Sequence, residues 1–326
     1  MRKTIMFVAL SLLASGAAAQ PSDLYAKPQQ RVALPGGKAI NLVCTGKGTP
    51  TVILTAGAGD WSATWQRVQG PVAARTRVCA WDRPGLGFSD GSDQPLTAAA
   101  MATDLERTLA GSGTVGPYIL VAHSAGAYET LVFADRHRNE VSGMVLVDPS
   151  LPAMAKRIEA VSPLAARVLR ADFAGRAAAF HHCAADPSHV SKAEAAVCFH
   201  IPDSATPFAA TIERLNRQPQ RMTTLATLYE QFEANADAVA NLRSFGAIPI
   251  AVLTSEKQPL AALPTEQPER ARGLGALWRS AHDQLAALSS DGSNQVVAGS
   301  EHMIQWEHPD AVVSAILKVL DEVQHR

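Results

Sequence analysis

The sequence predicts an α/β fold with a mostly parallel central sheet covered by helices on both faces. Short apolar runs alternate with helical stretches in the order β-α-β-α-β-α-β up to residue 148. Runs such as residues 118–122 are apolar throughout, which is typical of interior parallel strands. The alternation lapses at residue 151 and resumes at residue 248, so we expect one domain that contains a helical insertion.

The first 19 residues are expected to be a secretory signal peptide. They combine a basic start at Arg2 and Lys3, an apolar stretch over 5–13 and a small-residue end at 17–19. Such a stretch is too short to span a membrane, and no cysteine follows it to carry a lipid anchor. We therefore expect an exported protein, periplasmic or secreted, without a stable membrane anchor. After cleavage 27 basic residues face 30 acidic ones, a formal charge of −3 that argues against a nucleic-acid partner.

The elements before the insertion follow one another with clear turn signals. Residues 31–34 and 38–45 flank Pro35-Gly36-Gly37, which predicts a β-hairpin. The alanine-glycine loop 56–59 follows the next strand. The remaining predicted elements are strand 51–55, helix 62–74, strand 77–81, helix 97–109, strand 118–122 with its following helix, and a strand ending at Asp148.

The second half begins with helical stretches and then returns to the alternating pattern. Residues 151–245 carry apolar stripes at helical spacing, which indicate plain packing more often than a substrate surface. The later predicted elements are strand 248–256, helix 266–288, strand 294–298 and helix 311–323.

Ser124 is the candidate nucleophile. It ends the apolar run 118–122 within Ala-His-Ser-Ala-Gly, a variant of the G-x-S-x-G turn that presents a serine above a sheet. The positions two before and two after the serine must be small, and Ala122 and Gly126 satisfy that requirement. The alternative is a serine that only caps a helix.

Four motifs in order resemble the α/β-hydrolase superfamily, and the chain looks like a secreted serine hydrolase of that fold with a helical cap. They are the loop 56–59, the segment 82–90 (DRPGLGFSD), the Ala-His-Ser-Ala-Gly turn and the late GSEHMIQWEHPD. The resemblance implies a hydrolase core over 20–150 and 246–326 and a cap, or lid, over 151–245. Two positions depart from the family pattern: Ala56 replaces a histidine that braces the loop, and Ala122 replaces the first glycine of the turn.

The resemblance also implies the other site residues. His302 would be the general base, and the backbone N–H groups of Ala58 and Ala125 would form the oxyanion hole. The triad acid has two candidates, because the family's usual position falls near Gln258, which has no charge. Asp148, at the end of the strand after the nucleophile's helix, is favoured, and Glu256 is the alternative.

These residues suggest a metal-independent serine hydrolase that cleaves a carboxylic ester or related acyl substrate through an acyl-enzyme, without a cofactor. Superfamily members that open epoxides or remove halides use aspartate as the nucleophile, so Ser124 argues against both activities. The alternative is a binding protein in which the same pocket holds a small apolar ligand. The bond that is cleaved and the oligomeric state stay open.

The four cysteines form two pairs in the sequence. Cys183 and Cys198 stand near His181, His182 and His200, but export favours a disulfide over free thiols or a zinc site, and the spacing fits no familiar zinc motif. Cys44 and Cys79 lie on strands that the family resemblance makes neighbours. A second disulfide is therefore compatible with the fold, with buried free thiols as the alternative.

Overall fold

The computed structural model describes residues 24–92, 94–199 and 209–326. The expected signal peptide over 1–19 and His200 lie outside the described residues. The described strands are β1 Gln30–Ala33, β2 Ala39–Thr45, β3 Thr51–Thr55, β4 Val78–Trp81, β5 Tyr118–His123, β6 Val141–Val147, β7 Ile250–Ser255 and β8 Gly292–Val297.

These strands form one sheet in the order β1-β2-β4-β3-β5-β6-β7-β8. The pairs β1–β2 and β2–β4 are antiparallel, and every pair from β4 to β8 is parallel. The predicted α/β architecture is therefore confirmed. Because β5 and β6 are parallel neighbours, their carboxyl ends place Ser124 and Asp148 at the same edge of the sheet.

Helices occupy the intervals between most of the parallel strands. Several begin at recognisable caps: Thr97 accepts a hydrogen bond from Ala100 N, and Ser191 with Glu194 forms a capping box. The described α-helices are α1 Gln69–Ala73, α2 Ala98–Gly111, α3 Gly126–Arg136, α4 Met154–Val161, α5 Pro163–Ala185, α6 Lys192–Cys198, α7 Ala209–Asn216, α8 Pro219–Glu230, α9 Phe232–Ala238, α10 Pro268–Ala286, α11 Ile304–Glu307 and α12 Pro309–Gln324.

One predicted element is wrong. The expected helix over 62–74 is a short 3₁₀ helix, Ser62–Trp65, followed after a break by α1. Pro71 is tolerated in the first turn of α1, but it lacks an N–H and would disrupt the interior of one long helix. Gly70 weakens helical structure at the same point.

Apolar packing covers both faces of the sheet. On one face α1 and α12 pack through residues such as Val72, Ile316 and Val319. On the other face α2 and α3 pack through residues such as Leu105 and Leu131. The six helices α4 to α9, named here the insert helices, lie in the chain between β6 and β7. No helix among the described residues has the length and apolar character needed to cross a lipid bilayer.

All four cysteines are paired. Cys183 on α5 is bonded to Cys198 at the end of α6, as predicted. Cys44 on β2 is bonded to Cys79 on β4, its cross-strand partner in the antiparallel ladder. The first bond ties two insert helices together, and the second joins strands of the sheet.

Candidate active site

Ser124 occupies a sharp turn between β5 and α3. Its φ is +51°, a left-handed conformation that is uncommon for a residue with a side chain. The turn is fixed from both sides, since Ser124 N donates to Val147 O at 3.1 Å and Ser150 N donates to Ser124 O at 3.0 Å. A Cβ at Gly126 would lie 2.3 Å from Ala56 O, so only glycine lets the loop 56–59 approach the turn this closely.

His302 bridges Ser124 and Asp148. Its Nε2 lies 2.8 Å from Ser124 Oγ, and its Nδ1 lies 2.6 Å from Asp148 Oδ2. Both contacts are within hydrogen-bond distance, and together they match the geometry of a nucleophile, a general base and an orienting acid. The structure thus brings together the favoured residues from three separate strand ends.

Asp148 is completely buried and accepts four hydrogen bonds. Oδ1 accepts from Ser255 N at 2.9 Å and from Trp278 Nε1 at 2.9 Å. Oδ2 accepts from Ser255 Oγ at 2.8 Å and from His302 Nδ1. Burial opposes ionisation of Asp148, but the hydrogen bond and charge of His302, with the Ser255 N–H, hold its pKa below the ordinary value. The carboxylate is therefore charged at neutral pH and fixed in orientation.

Glu256 has a different environment. Its Oε2 accepts from Gly299 N at 2.8 Å, and its own N–H donates to Ser300 Oγ. Glu256 directly follows β7, and its carboxylate holds the turn that follows β8, while Asp148 holds the His302 ring.

The two expected oxyanion donors flank the serine. Ala125 follows Ser124 and precedes the first turn of α3, and Ala58 lies on the loop 56–59. Within the described residues, neither N–H group donates to another protein atom. A Cβ on Gly57 would lie 3.2 Å from Ser124 Cβ, which shows how closely this loop packs against the nucleophile. Neither N–H group is therefore committed to an acceptor in the described part of the chain.

Arg83 holds the loop that carries Ala58. Its guanidinium donates to Gly57 O at 2.9 Å, to Ala56 O and to Glu129 Oε1. Arg83 and Glu129 are buried, and an ion pair removed from water is well fixed in position when its hydrogen bonds are satisfied. Arg83 thus braces the loop from which the family's usual histidine is missing at position 56.

His123 lies beneath the His302 loop. Its Nε2–H donates to His302 O at 3.0 Å, and the two rings are 4.8 Å apart. Burial and the neighbouring His302 lower the pKa of His123 to about 3, so its ring is neutral. His123 supports the backbone of the candidate base.

Two cavities meet at the site. The serine chamber has a volume of about 350 Å³, and its lining includes Ser124, Ser150, Phe173, Trp278 and His302. The Arg221 chamber has a volume of about 540 Å³, and its lining includes Ala58, Asp60, Phe180, Arg221 and Trp306. Arg176 and Tyr229 line both chambers and stand between them. Insert helices also supply five of the twelve other lining residues of the serine chamber and six of the fourteen others of the Arg221 chamber.

The histidines beside Cys183 pair with glutamates and form no metal site with other described residues. His181 pairs with Glu230 and His182 with Glu194, both at the surface. Among the residues that the structure describes, no group of three or more His, Cys, Asp or Glu side chains is placed to hold a metal ion.

Sequence reasoning missed Ser255 and Trp278, which hold Asp148. Ser255 ends β7, where the family's acid normally follows, so its position gave a usable signal. Trp278 lies in the middle of α10, and no local pattern distinguishes it from a core tryptophan.

Comparisons with known proteins agree with this architecture. An uncharacterised protein of Schizosaccharomyces pombe is 48% identical over 73 residues, which is 22% of this chain and 14% of that protein. A provisionally named carbamate hydrolase of Klebsiella pneumoniae is 32% identical over 105 residues, which is 31% of this chain and 38% of that protein. The chain thus spans well under half the length of these two curated relatives.

A solved structure of a mutant of a provisionally named epoxide hydrolase from Pseudomonas aeruginosa has a TM-score of 0.67 and 21% identity. The match covers 91% of this chain and 97% of that one, and it shows a shared fold. The family model described as the alpha/beta hydrolase family matches residues 52–315. The chain belongs to the α/β hydrolase family.

Proposed function

We propose that this protein is a serine hydrolase that cleaves carboxylic esters through an acyl-enzyme. His302 Nε2 takes the Ser124 hydroxyl proton as Oγ attacks the acyl carbon, and Asp148 stabilises the imidazolium that forms. The N–H groups of Ala58 and Ala125 bind the oxyanion. The tetrahedral intermediate then expels the alcohol, which leaves with the proton from His302. Water activated by His302 releases the acid in the second half of the reaction.

The observation that carries this proposal is the continuous hydrogen-bonded chain from Ser124 Oγ through His302 to Asp148. A serine hydroxyl is a weak nucleophile without an adjacent base, and this geometry supplies one. Epoxide opening in this family requires a carboxylate nucleophile, and position 124 has none. The likeness to the epoxide hydrolase therefore supports the fold and does not carry that activity over to this chain.

We further propose that the insert helices act as a cap over the site, as expected for residues 151–245. Met154, Leu169 and Phe173 from α4 and α5 line the serine chamber together with Ser124. A chamber of about 350 Å³ suits a group of modest size, whether it is the acyl group or the leaving alcohol. We expect activated esters of short to medium acids to be the best substrates.

Export is part of the proposal. The two disulfides fit an oxidising compartment, where such bonds persist. The apolar stretch before residue 20 provides the signal that would direct the chain there.

Labelling with a fluorophosphonate probe tests the proposed nucleophile. We expect stoichiometric labelling at Ser124 in folded protein, and loss of both labelling and esterase activity in Ser124→Ala. The matched control is Ser150→Ala, since Ser150 Oγ lies 3.5 Å from Ser124 Oγ in the same chamber and its loss should leave the labelling at Ser124. Unlabelled folded protein, or full esterase activity in Ser124→Ala, would refute the proposal and favour a ligand-binding protein.

A further inference from the structure

Arg221 is a cation on the wall of the Arg221 chamber, and within the described residues no carboxylate forms an ion pair with it. Its guanidinium contacts two backbone carbonyls, Gly59 O and Cys198 O, each at 3.5 Å. Burial lowers its pKa to about 10, so it still carries its charge at neutral pH. A partly buried charge whose hydrogen-bond contacts are this long is stabilised by binding an anion.

Of the other charged groups of this chamber, Arg176 is engaged with a carboxylate outside it. Arg176 donates to Asp172 at 2.7 Å. Asp60 lies in the same chamber and attracts Arg221 electrostatically, but the two do not form an ion pair. Burial raises the pKa of Asp60 to about 6, although the charges of Arg221, Arg83 and His302 act in the opposite direction. Among the described residues that line this chamber, Arg221 is therefore the cation that is free to receive a ligand.

The position of Arg221 indicates which part of a bound ester it would contact. The leaving alcohol must lie next to His302 Nε2, which faces the serine chamber. The oxyanion donor Ala58 lines the other chamber, and Gly59, whose carbonyl Arg221 contacts, is the next residue. An acyl group that extends away from the leaving group past the loop 56–59 therefore enters the Arg221 chamber.

We propose that the Arg221 chamber holds the acyl group and that Arg221 binds a carboxylate at its far end. The substrate class is then the monoesters of dicarboxylic acids, in which an apolar spacer separates the ester from a free carboxylate. Phe180, Leu225 and Trp306 supply an apolar wall for the spacer. This inference rests on the proposed serine hydrolase activity and specifies its substrate.

The test compares two 4-nitrophenyl esters of equal length, the monoester of glutaric acid and the ester of pentanoic acid. We expect the wild-type protein to show a kcat/KM for the glutarate monoester that is higher by about ten- to hundredfold, the range expected of a charge-assisted hydrogen bond. Arg221→Gln should reduce this ratio to near one. The matched control is Arg217→Gln, four residues earlier in the chain, where the arginine pairs with Glu213 at the surface. Its ratio should equal that of the wild type.

A wild-type preference for the pentanoate ester would overturn the inference, and so would an unchanged ratio in folded Arg221→Gln. If that variant does not fold, inhibition of the wild-type protein decides. Glutarate should inhibit at lower concentration than its uncharged diamide, and equal inhibition overturns the inference. Fluorophosphonate labelling of Ser124 in the same preparations separates the two failures, because it reports the proposed function without using an acyl carboxylate.

Discussion

Replacing Asp148 by asparagine tests the proposed triad acid, and the structure dictates how the new amide must sit. Ser255 N–H and Trp278 Nε1–H can only donate, so the amide oxygen of the introduced side chain must occupy the Oδ1 position. The NH₂ group then faces His302 Nδ1. That nitrogen must become an acceptor, which moves the ring proton to Nε2 and removes the base from Ser124 Oγ.

We expect Asp148→Asn to lose about 10⁴-fold in kcat through this wrong tautomer. The loss corresponds to about 5.5 kcal/mol of transition-state stabilisation. The assay is hydrolysis of an activated ester under saturating conditions, together with the rate of fluorophosphonate labelling. The variant also loses a charge-assisted hydrogen bond that contributes to stability. Circular dichroism of the same samples must therefore show that the folded fraction is unchanged before the loss in kcat is assigned to the tautomer.

Glu256→Gln is the matched control. Its amide oxygen can still accept from Gly299 N, and the side chain does not bond to His302, so we expect less than about a threefold change. If Glu256→Gln were the crippled variant and Asp148→Asn stayed active, the assignment of the acid would be wrong.

Two further predictions concern stability. Folded His123 has a pKa of about 3, whereas an unfolded imidazole has a pKa of about 6.5. Between these pH values the unfolded state binds a proton that the folded state excludes. The free energy of unfolding should therefore fall as the pH is lowered from 6.5 to 3, by up to about 1.4 kcal/mol per pH unit. His123→Gln keeps a hydrogen-bond donor for His302 O but cannot take up a proton, so the dependence of stability on pH should be weaker in this variant. Urea unfolding at about pH 7, 5.5 and 4 measures this dependence, and an equal dependence in both proteins would contradict this account. The double variant Cys183→Ser with Cys198→Ser opens a loop of 15 residues and should lose about 3 kcal/mol of stability in the insert helices. Unreduced peptide mass spectrometry should recover the bonded pair from exported wild-type protein, and two freely alkylated thiols would argue against it.

Much of the fold could be predicted because it depends on local patterns. The run 118–122 is apolar throughout and ends in small residues around Ser124, and the structure has a central strand and a sharp turn there. Cys183 and Cys198 could be paired from spacing and compartment. The helix over 62–74 could not be placed correctly from periodicity, because Gly70 and Pro71 overrode the apolar pattern.

The surroundings of the site depend on contacts between distant parts of the chain. Trp278 reaches Asp148 across 130 positions, and Gly59 meets Arg221 across 162. Neither contact leaves a local signature, since a tryptophan in an amphipathic helix and an arginine in a polar one are ordinary by themselves. His302 could be predicted only because the family places its base after the last strand.

The distance along the chain between Ser124 and His302 has a consequence for the newly made protein. The two residues are 178 positions apart, and β7, α10 and β8 lie between them. During synthesis from the N-terminus, the serine and its sharp turn are complete long before the histidine has been added. Until the last strand docks beside β7, Ser124 carries an ordinary, unreactive hydroxyl. If the chain is an exported serine hydrolase, as proposed, this delay keeps Ser124 unreactive while the chain is still in the cytoplasm among the cell's own esters.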